Sequence, residues 1–250
     1  METISQPTRR SEFLNGVKAT IPLEIGGIPF GMIFGAAAVA SGISPLGTIG
    51  MSLFVFAGSA QFIAVGLVAA GTDVIWIILT TFVVNARHAL YSTSLAPYLK
   101  HLPHRWLLPL GYMLTDEAFV VAITRYHQPD DSPYKHWYFL GSALSMFIVW
   151  QIVTLIGIVL GNAIPDIGNW GLDFALVVTF IGMLVPLIKN RPALIATVVA
   201  GATALLAYPL PNQLYLMVAA LAGVIAGVIA ESLQPEKREE TVIPEGSAQP

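Results

Sequence analysis

The sequence predicts an all-α protein, a polytopic integral membrane bundle of about eight transmembrane helices. Of its 250 residues, 55% are hydrophobic and only 11% are charged, and the mean hydropathy is +0.71. A soluble domain carries about 25% charged residues, so this composition does not suit a water-facing surface. Eight successive stretches are each close to the ~20 apolar residues that a membrane-crossing helix needs. Turn-forming residues separate several of them.

The chain divides into three parts. Residues 1–19 are polar and are expected to form a cytoplasmic N-terminus without a cleavable signal peptide, because they contain no long apolar run. Residues 20–231 form one transmembrane domain. Residues 232–250 are charged and proline-rich and are expected to be a disordered cytoplasmic tail. The predicted segments are 20–41, 45–70, 73–98, 105–126, 136–161, 171–188, 191–208 and 213–231.

Basic residues orient the segments. With eight spans and a cytoplasmic N-terminus, Lys100 and Arg105 are the only Lys or Arg residues on the non-cytoplasmic side, and Arg87 lies within the membrane. Cytoplasmic loops are enriched in Lys and Arg, so both termini are expected inside. Seven spans, with segment 2 re-entrant or segments 6 and 7 split differently, is the alternative. The basic residues expected inside are Arg9, Arg10, Lys18, Arg125, Lys135, Lys189, Arg191, Lys237 and Arg238.

Several classes of function do not fit this sequence. A net charge of −3 and scattered basic residues do not suggest nucleic-acid binding. The absence of cysteine excludes disulfides and thiolate metal sites. No Walker A motif occurs, so the chain does not itself hydrolyse ATP. We expect no metal, cofactor or catalytic residue, and transport driven by an ion gradient is the favoured class.

Ionisable residues are rare inside the segments, and such residues are costly in a bilayer and indicate function. Counting inward from the turns at ~1.5 Å per residue places Arg87 and Asp116 at nearly the same depth. They would form either a static bridge or part of a substrate or proton path. His88 favours the path, because histidine titrates near neutral pH. The layer at this depth contains Gln61, Asn85, Arg87, His88, Asp116 and Glu117.

Small residues give two further signals. Residues 57–60 of "FVFAGSAQF" are small and lie in the middle of segment 2. They allow either a broken helix whose free N–H groups bind a carboxylate or merely a close helix approach. Gly27, Gly31 and Gly35 recur every fourth residue and predict a packing surface in segment 1. A Phe-x-Gly shared by "VFAGSAQF" and "TFIGMLVP" is too short to support an internal repeat.

Three stretches resemble the signature motifs of the AzlC family: "VFAGSAQFIAVGL" (55–67), "NARHALYSTSL" (85–95) and "LTDEAF" (114–119). "GIPFGMIFG" (27–35) and "GLDFALVVTFIGML" (171–184) resemble its first span and its later half. The resemblance implies the large subunit of a bacterial plasma-membrane exporter, working with a small AzlD-like membrane subunit. The implied substrates are valine, leucine and isoleucine, with methionine in some members, and the implied energy source is the proton-motive force.

The resemblance also implies a set of motif positions. Some relatives carry Asp where this chain has Asn85, which puts a proton-carrying role of that position in doubt. The positions are Gly58, Ser59, Gln61, Asn85, Arg87, His88, Tyr91, Asp116 and Glu117.

A zwitterionic amino acid needs a partner for each of its charges in a low-dielectric site. As a hypothesis, Arg87 and the N–H groups near Gly58 and Ser59 hold the carboxylate, and Asp116 or Glu117 holds the ammonium group. Gln61 and Asn85 would add hydrogen bonds, and Phe56 and Phe62 an apolar wall. Protonation of His88 or of a carboxylate would then couple substrate release to proton entry.

Two other classes stay open at this point. Ser59 and His88 could serve an intramembrane serine hydrolase, although the Ala-Gly-Ser-Ala context is not that of rhomboid-type enzymes. The chain could also be a channel or a scaffold subunit without transport activity.

Overall fold

The computed structural model describes residues 7–130, 132–163, 181, 185, 188–210 and 214–233. Within these ranges the chain forms no strand, and the all-α membrane class is confirmed. The helices there are α1 (Arg9–Ala40), α2 (Pro45–Phe54), α3 (Gly58–Ala69), α4 (Val74–Asn85), α5 (Arg87–Leu99), α6 (His104–Tyr112), α7 (Asp116–Tyr126), α8 (Lys135–Ala163), α9 (Arg191–Ala207) and α10 (Leu214–Ser232).

Four stretches of the described chain are long and apolar enough to cross a membrane: α1, α4 together with α5, α8, and α10. Predicted segments 2 and 4 are instead pairs of short helices, α2 with α3 and α6 with α7. The predicted discontinuity of segment 2 is therefore confirmed. Predicted segment 6 (171–188) lies almost wholly outside the described residues, and so does the tail from residue 234.

The first crossing helix, α1, packs along α8. Gly16 lies against the backbone of Tyr138, and Gly35 lies against the backbone of Thr154. Because the residue numbers increase together along both helices, α1 and α8 run parallel. Small residues let two backbones approach closely, and the packing surface predicted for segment 1 is confirmed at Gly35.

One end of the bundle carries the starts of α1, α6 and α8 and the ends of α5 and α7. The ring of Trp106 lies 4.8 Å from that of Trp137, and the ring of Tyr98 lies 5.0 Å from that of Tyr126. We call this the basic end. The opposite end carries the turns at residues 41–44 and 70–73. The basic residues of the basic end include Arg9, Arg10, Lys100, Arg105, Arg125 and Lys135.

Segment 4 enters and leaves the bundle at the basic end. From Trp106, α6 runs inward to Tyr112, whose hydroxyl donates a hydrogen bond to the carbonyl oxygen of Leu53. The chain turns at residues 113–115, and α7 then runs outward from Asp116 to Arg125. Segment 2 does the same from the opposite end, because α2 follows the turn after α1 and α3 leads into the turn before α4.

The prediction that segments 2 and 4 cross the membrane is wrong, and the re-entrant alternative for segment 2 is correct. Lys100 and Arg105 consequently lie at the same end as Arg125, not across the membrane from it. The sequence prediction failed because a hairpin of two half-length helices, which returns to the end from which it started, contains as many apolar residues as one crossing helix. The turns at the opposite end carry no Lys or Arg, so the charge bias still predicts a cytoplasmic N-terminus. The side of the C-terminus stays a prediction.

The two hairpins make the first seven helices an inverted repeat. α1 runs from the basic end to the opposite end and precedes hairpin α2–α3, which starts there. The helix pair α4–α5 runs in the reverse direction and precedes hairpin α6–α7 at the basic end. Inverted repeats that meet at broken helices are typical of secondary transporters. No repeat pairing segments 2 and 4 was expected from the sequence.

A buried ion pair closes the basic end. α1 begins at Arg9, ahead of the predicted start at residue 20, and its Glu12 is only 3% exposed. Both carboxylate oxygens of Glu12 accept hydrogen bonds from Arg125 at the end of α7. Arg125 also donates to Asp130, 2.6 Å away, and together with the Ser132 N–H it lowers the pKa of Asp130 to about 2. The base of hairpin α6–α7 is thereby fixed to α1.

We expect Glu12→Gln to lower the free energy of unfolding by about 3 kcal/mol, because it leaves the buried Arg125 without its main counter-charge. The midpoint of thermal unfolding in detergent measures this effect. Arg10→Gln is the matched control, since Arg10 is an exposed residue of the same helix turn. Equal unfolding midpoints for Glu12→Gln and Arg10→Gln would contradict the proposed contribution of the Glu12–Arg125 ion pair to stability.

The re-entrant path of segment 4 can be tested with single cysteines, because the chain has none of its own. We expect a membrane-impermeant maleimide to label His101→Cys and Pro129→Cys from the same side, and Asp73→Cys from the other side. All three positions are exposed. Labelling of His101→Cys and Pro129→Cys from opposite sides would contradict the re-entrant path and show that segment 4 crosses the membrane.

Candidate functional site

The apices of the two hairpins meet in the middle of the bundle. Phe56, at the first apex, belongs to the same buried cluster as Met113 and Leu114 at the second. Phe56 has φ 38°, a left-handed conformation that costs a non-glycine residue about 1–2 kcal/mol. Its ring is buried and lies 4.9 Å from that of Phe147. Packing therefore holds a sharp turn that the backbone alone would not favour.

Each apex directs the N-terminus of a half-helix toward the centre. Thr115 caps α7, because its side chain accepts a hydrogen bond from the Ala118 N–H. Ala57 precedes α3 and offers no such side-chain bond. The first N–H groups of α3 are therefore free of a side-chain cap, and a helix N-terminus carries partial positive charge. Anions are stabilised at such an N-terminus.

Arg87 lies between the two apices. The junction of α4 and α5 at Ala86 places it at the start of α5. Its Nη2 donates to Ser59 Oγ at 2.5 Å and forms an ion pair with Asp116 Oδ2 at 3.0 Å. Tyr91 donates to the other Asp116 oxygen at 2.6 Å. One guanidinium thus connects the N-termini of α3 and α7.

Ser59, Arg87 and Asp116 line a cavity of about 390 Å³, within the size range of small-molecule sites. Arg87 and His88 supply basic groups, and Asp116 and Glu117 supply carboxylates. The remaining wall is largely apolar and comes from α1, α3 and α8. Its larger apolar side chains are Pro22, Leu23, Phe30, Phe56, Phe62, Met146 and Trp150.

Most of the sequence-predicted site residues line this cavity, and three do not. Tyr91 reaches the cavity only through its bond to Asp116. Gln61 is fully buried in α3, and neither atom of its amide has a partner among the described residues. Asn85 likewise has a buried side-chain oxygen without such a partner. The lining residues are Phe56, Gly58, Ser59, Phe62, Arg87, His88, Asp116 and Glu117.

Trp150 was missed by sequence reasoning. It lies in the middle of α8, lines the cavity and stacks on Phe34 at 6.2 Å. A methyl group on Gly58 would lie 3.1 Å from its ring, so the glycine leaves room for the indole. A tryptophan near the centre of a span, away from the interfaces that tryptophan prefers, was the available signal.

The contacts of Ser59 and His88 do not support the hydrolase alternative. Ser59 Oγ accepts from Arg87, and the ring of His88 donates from Nδ1 to the Asn85 carbonyl oxygen at 3.0 Å. Neither contact prepares a serine for nucleophilic attack, which requires a base next to the hydroxyl. No cluster of metal-binding side chains occurs in the part of the chain that the structure describes. The arrangement can hold a small molecule that carries both charges and an apolar group.

Known proteins with related sequences are membrane proteins. Inner membrane protein YgaZ of Escherichia coli (strain K12) is 28% identical over 230 residues, 89% of this chain and 90% of that protein. An uncharacterized membrane protein of Archaeoglobus fulgidus is 28% identical over 222 residues, 86% of this chain and 94% of that protein. The branched-chain amino acid transport protein AzlC of Bacillus subtilis (strain 168) is 27% identical over 169 residues, 68% of this chain and 65% of that protein. No solved structure matches the chain.

A family model described as AzlC protein matches residues 22–164, more than half of the chain. The match contains both hairpins, Arg87 and the whole lining of the cavity. The sequence, the site and the relatives together support a role in membrane transport. This chain belongs to the AzlC family.

Proposed function

We propose that this protein exports branched-chain amino acids across the bacterial inner membrane, together with a small AzlD-like subunit. One observation carries the substrate class: the cavity presents a cationic side and an anionic side within a largely apolar wall. Valine, leucine and isoleucine carry a carboxylate, an ammonium group and an aliphatic side chain. The direction of transport and the partner rest on the resemblance to the AzlC family.

The carboxylate of the substrate binds at the N-terminus of α3. Arg87 and the first N–H groups of the helix, at Gly58 and Ser59, provide positive charge there. Asp116 or Glu117 receives the ammonium group from the other apex. Because Arg87 already pairs with Asp116 at 3.0 Å, an arriving carboxylate competes with Asp116 for the guanidinium. The ion pair is therefore a resting contact that substrate rearranges, and not a permanent brace.

Proton coupling uses the titratable groups of the same cavity. Protonation of Asp116 or Glu117 removes a partner of the ammonium group and favours its release. His88 lies at the start of α5 beside Arg87 and is the third titratable group proposed to take up a proton in this cavity. Gln61 and Asn85, whose buried polar atoms have no partner among the described residues, lie behind the cavity and support it without contacting substrate directly.

The apolar wall sets the breadth of selectivity. An aliphatic pocket distinguishes side chains that differ by one methylene by only ~1–3 kcal/mol. We therefore expect all three branched-chain amino acids to be accepted. Phe56, Phe62 and Trp150 surround the side-chain end of the cavity. A cavity with two charged sides favours the binding of an amino acid over a scaffold or channel role.

Arg87→Gln is expected to weaken leucine binding at least about tenfold, because hydrogen bonds to charged groups contribute ~1.5–3 kcal/mol each and ~1.4 kcal/mol corresponds to tenfold. Leucine counterflow in proteoliposomes that contain both subunits should fall accordingly. Thr93→Ala is the matched control on the same helix, since within the described residues its hydroxyl bonds only to the Ala89 carbonyl oxygen. Unchanged binding and counterflow in a folded Arg87→Gln protein would refute the proposed site.

Gly58→Ala is expected to reduce leucine transport several-fold, because the added methyl group meets the Trp150 ring at 3.1 Å and narrows the cavity. Gly66→Ala is the matched control in the same helix, where an added methyl group meets nothing within 4 Å. Trp150→Phe should restore transport in the Gly58→Ala background. Equal losses in the two glycine variants would point to helix propensity instead of the cavity.

A further inference from the structure

A groove separate from the central cavity lies at the basic end, between the first turns of α1, α6 and α8. Its volume is about 520 Å³. Arg9 comes from α1 and Arg105 from α6, so two residues far apart in sequence line one groove. The crossing topology would have placed them on opposite sides of the membrane. The groove exists only because hairpin α6–α7 returns to the end from which it started.

The two arginines of the groove lack acidic partners within the described residues. Arg125 and Lys135, also at the basic end, both pair with Asp130. By contrast, Arg9 lies over the ring of Tyr134 at 5.6 Å, and Arg105 is exposed and makes no ion pair there. Among the described residues, the groove lining contains no carboxylate. Two uncompensated guanidinium groups facing one groove fit a phosphate group, which arginine binds through paired N–H donors.

Aromatic and apolar residues form the rest of the groove. Trp106 and Trp137 are in edge-to-face contact, with centroids 4.8 Å apart. Tryptophan is enriched where a membrane meets water, at the level of the lipid headgroups. Pro109 and Leu140 continue the lining one turn deeper along α6 and α8. A free anion has no need of such a wall, whereas the glycerol and first methylenes of a lipid do.

We propose that this groove binds the headgroup of an anionic phospholipid of the cytoplasmic leaflet. Arg9 and Arg105 hold the phosphate, while Trp106, Trp137 and Leu140 contact the glycerol and the upper acyl chain. Basic pockets between helices on the cytoplasmic side are suited to such headgroups. The bound lipid connects α1 and α8 to the base of hairpin α6–α7. This site is independent of the amino acid that the central cavity takes.

The test compares lipids on the purified full-length protein in detergent. Native mass spectrometry measures retained phosphatidylglycerol against phosphatidylcholine, and thermal unfolding measures the stabilisation that each lipid gives. We expect selective retention of phosphatidylglycerol by the unmodified protein and no stabilisation by inorganic phosphate. Each of Arg9→Gln and Arg105→Gln should weaken retention about fivefold, and the double variant should retain both lipids equally.

Arg10→Gln and Lys18→Gln are the matched controls, because both remove an exposed positive charge from α1 without altering the groove lining. The controls should retain phosphatidylglycerol as the unmodified protein does. Equal losses in controls and groove variants would show a general charge effect and overturn the proposal. Full retention by the double variant would overturn it too, as would binding of inorganic phosphate alone at comparable affinity. Unfolding midpoints without lipid identify any variant that is merely misfolded.

Discussion

A guanidinium in the middle of a membrane bundle must be neutralised, and the way Arg87 is neutralised organises the centre of this protein. Its partners come from two different hairpins: Ser59 at the start of α3 and Asp116 at the start of α7. Both contacts require the hairpin apices to reach the same depth. An unpaired charge at this place would cost several kcal/mol. The ion pair therefore links the chemistry of the cavity to the meeting of the two hairpins.

The starts of the two half-helices give the cavity much of its polarity. The start of α3 contributes partial positive charge from backbone N–H groups, and the start of α7 contributes two carboxylates in its first turn. The corresponding positions are Gly58 and Ser59 in one hairpin and Asp116 and Glu117 in the other. The two apices are thus opposite in charge. This difference suits the proposed binding of a carboxylate at one apex and of an ammonium group at the other.

The basic end shows a different use of arginine. Arg125 is buried, pairs with Glu12 and Asp130, and fixes hairpin α6–α7 to α1. Arg9 and Arg105 are exposed and face a groove in whose described lining no acidic residue occurs. The first arrangement stabilises the fold, and the second leaves positive charge available at the membrane surface. Identical side chains serve different purposes because their depth and their acidic neighbours differ.

Composition, apolar run length and the rarity of ionisable residues were sufficient to predict a helical membrane protein with Arg87, His88, Asp116 and Glu117 in one layer. These properties are local or depend only on distance along a helix from the nearest turn. Local sequence does not decide whether an apolar segment crosses the membrane or returns to the side from which it entered, because both paths bury the same residues. Tertiary packing decides it: Phe56 is held in a left-handed turn against Phe147, and segment 4 is anchored through Arg125. The sequence thus determined which groups share the membrane centre, and only the tertiary structure decided that two hairpins from opposite ends bring them there.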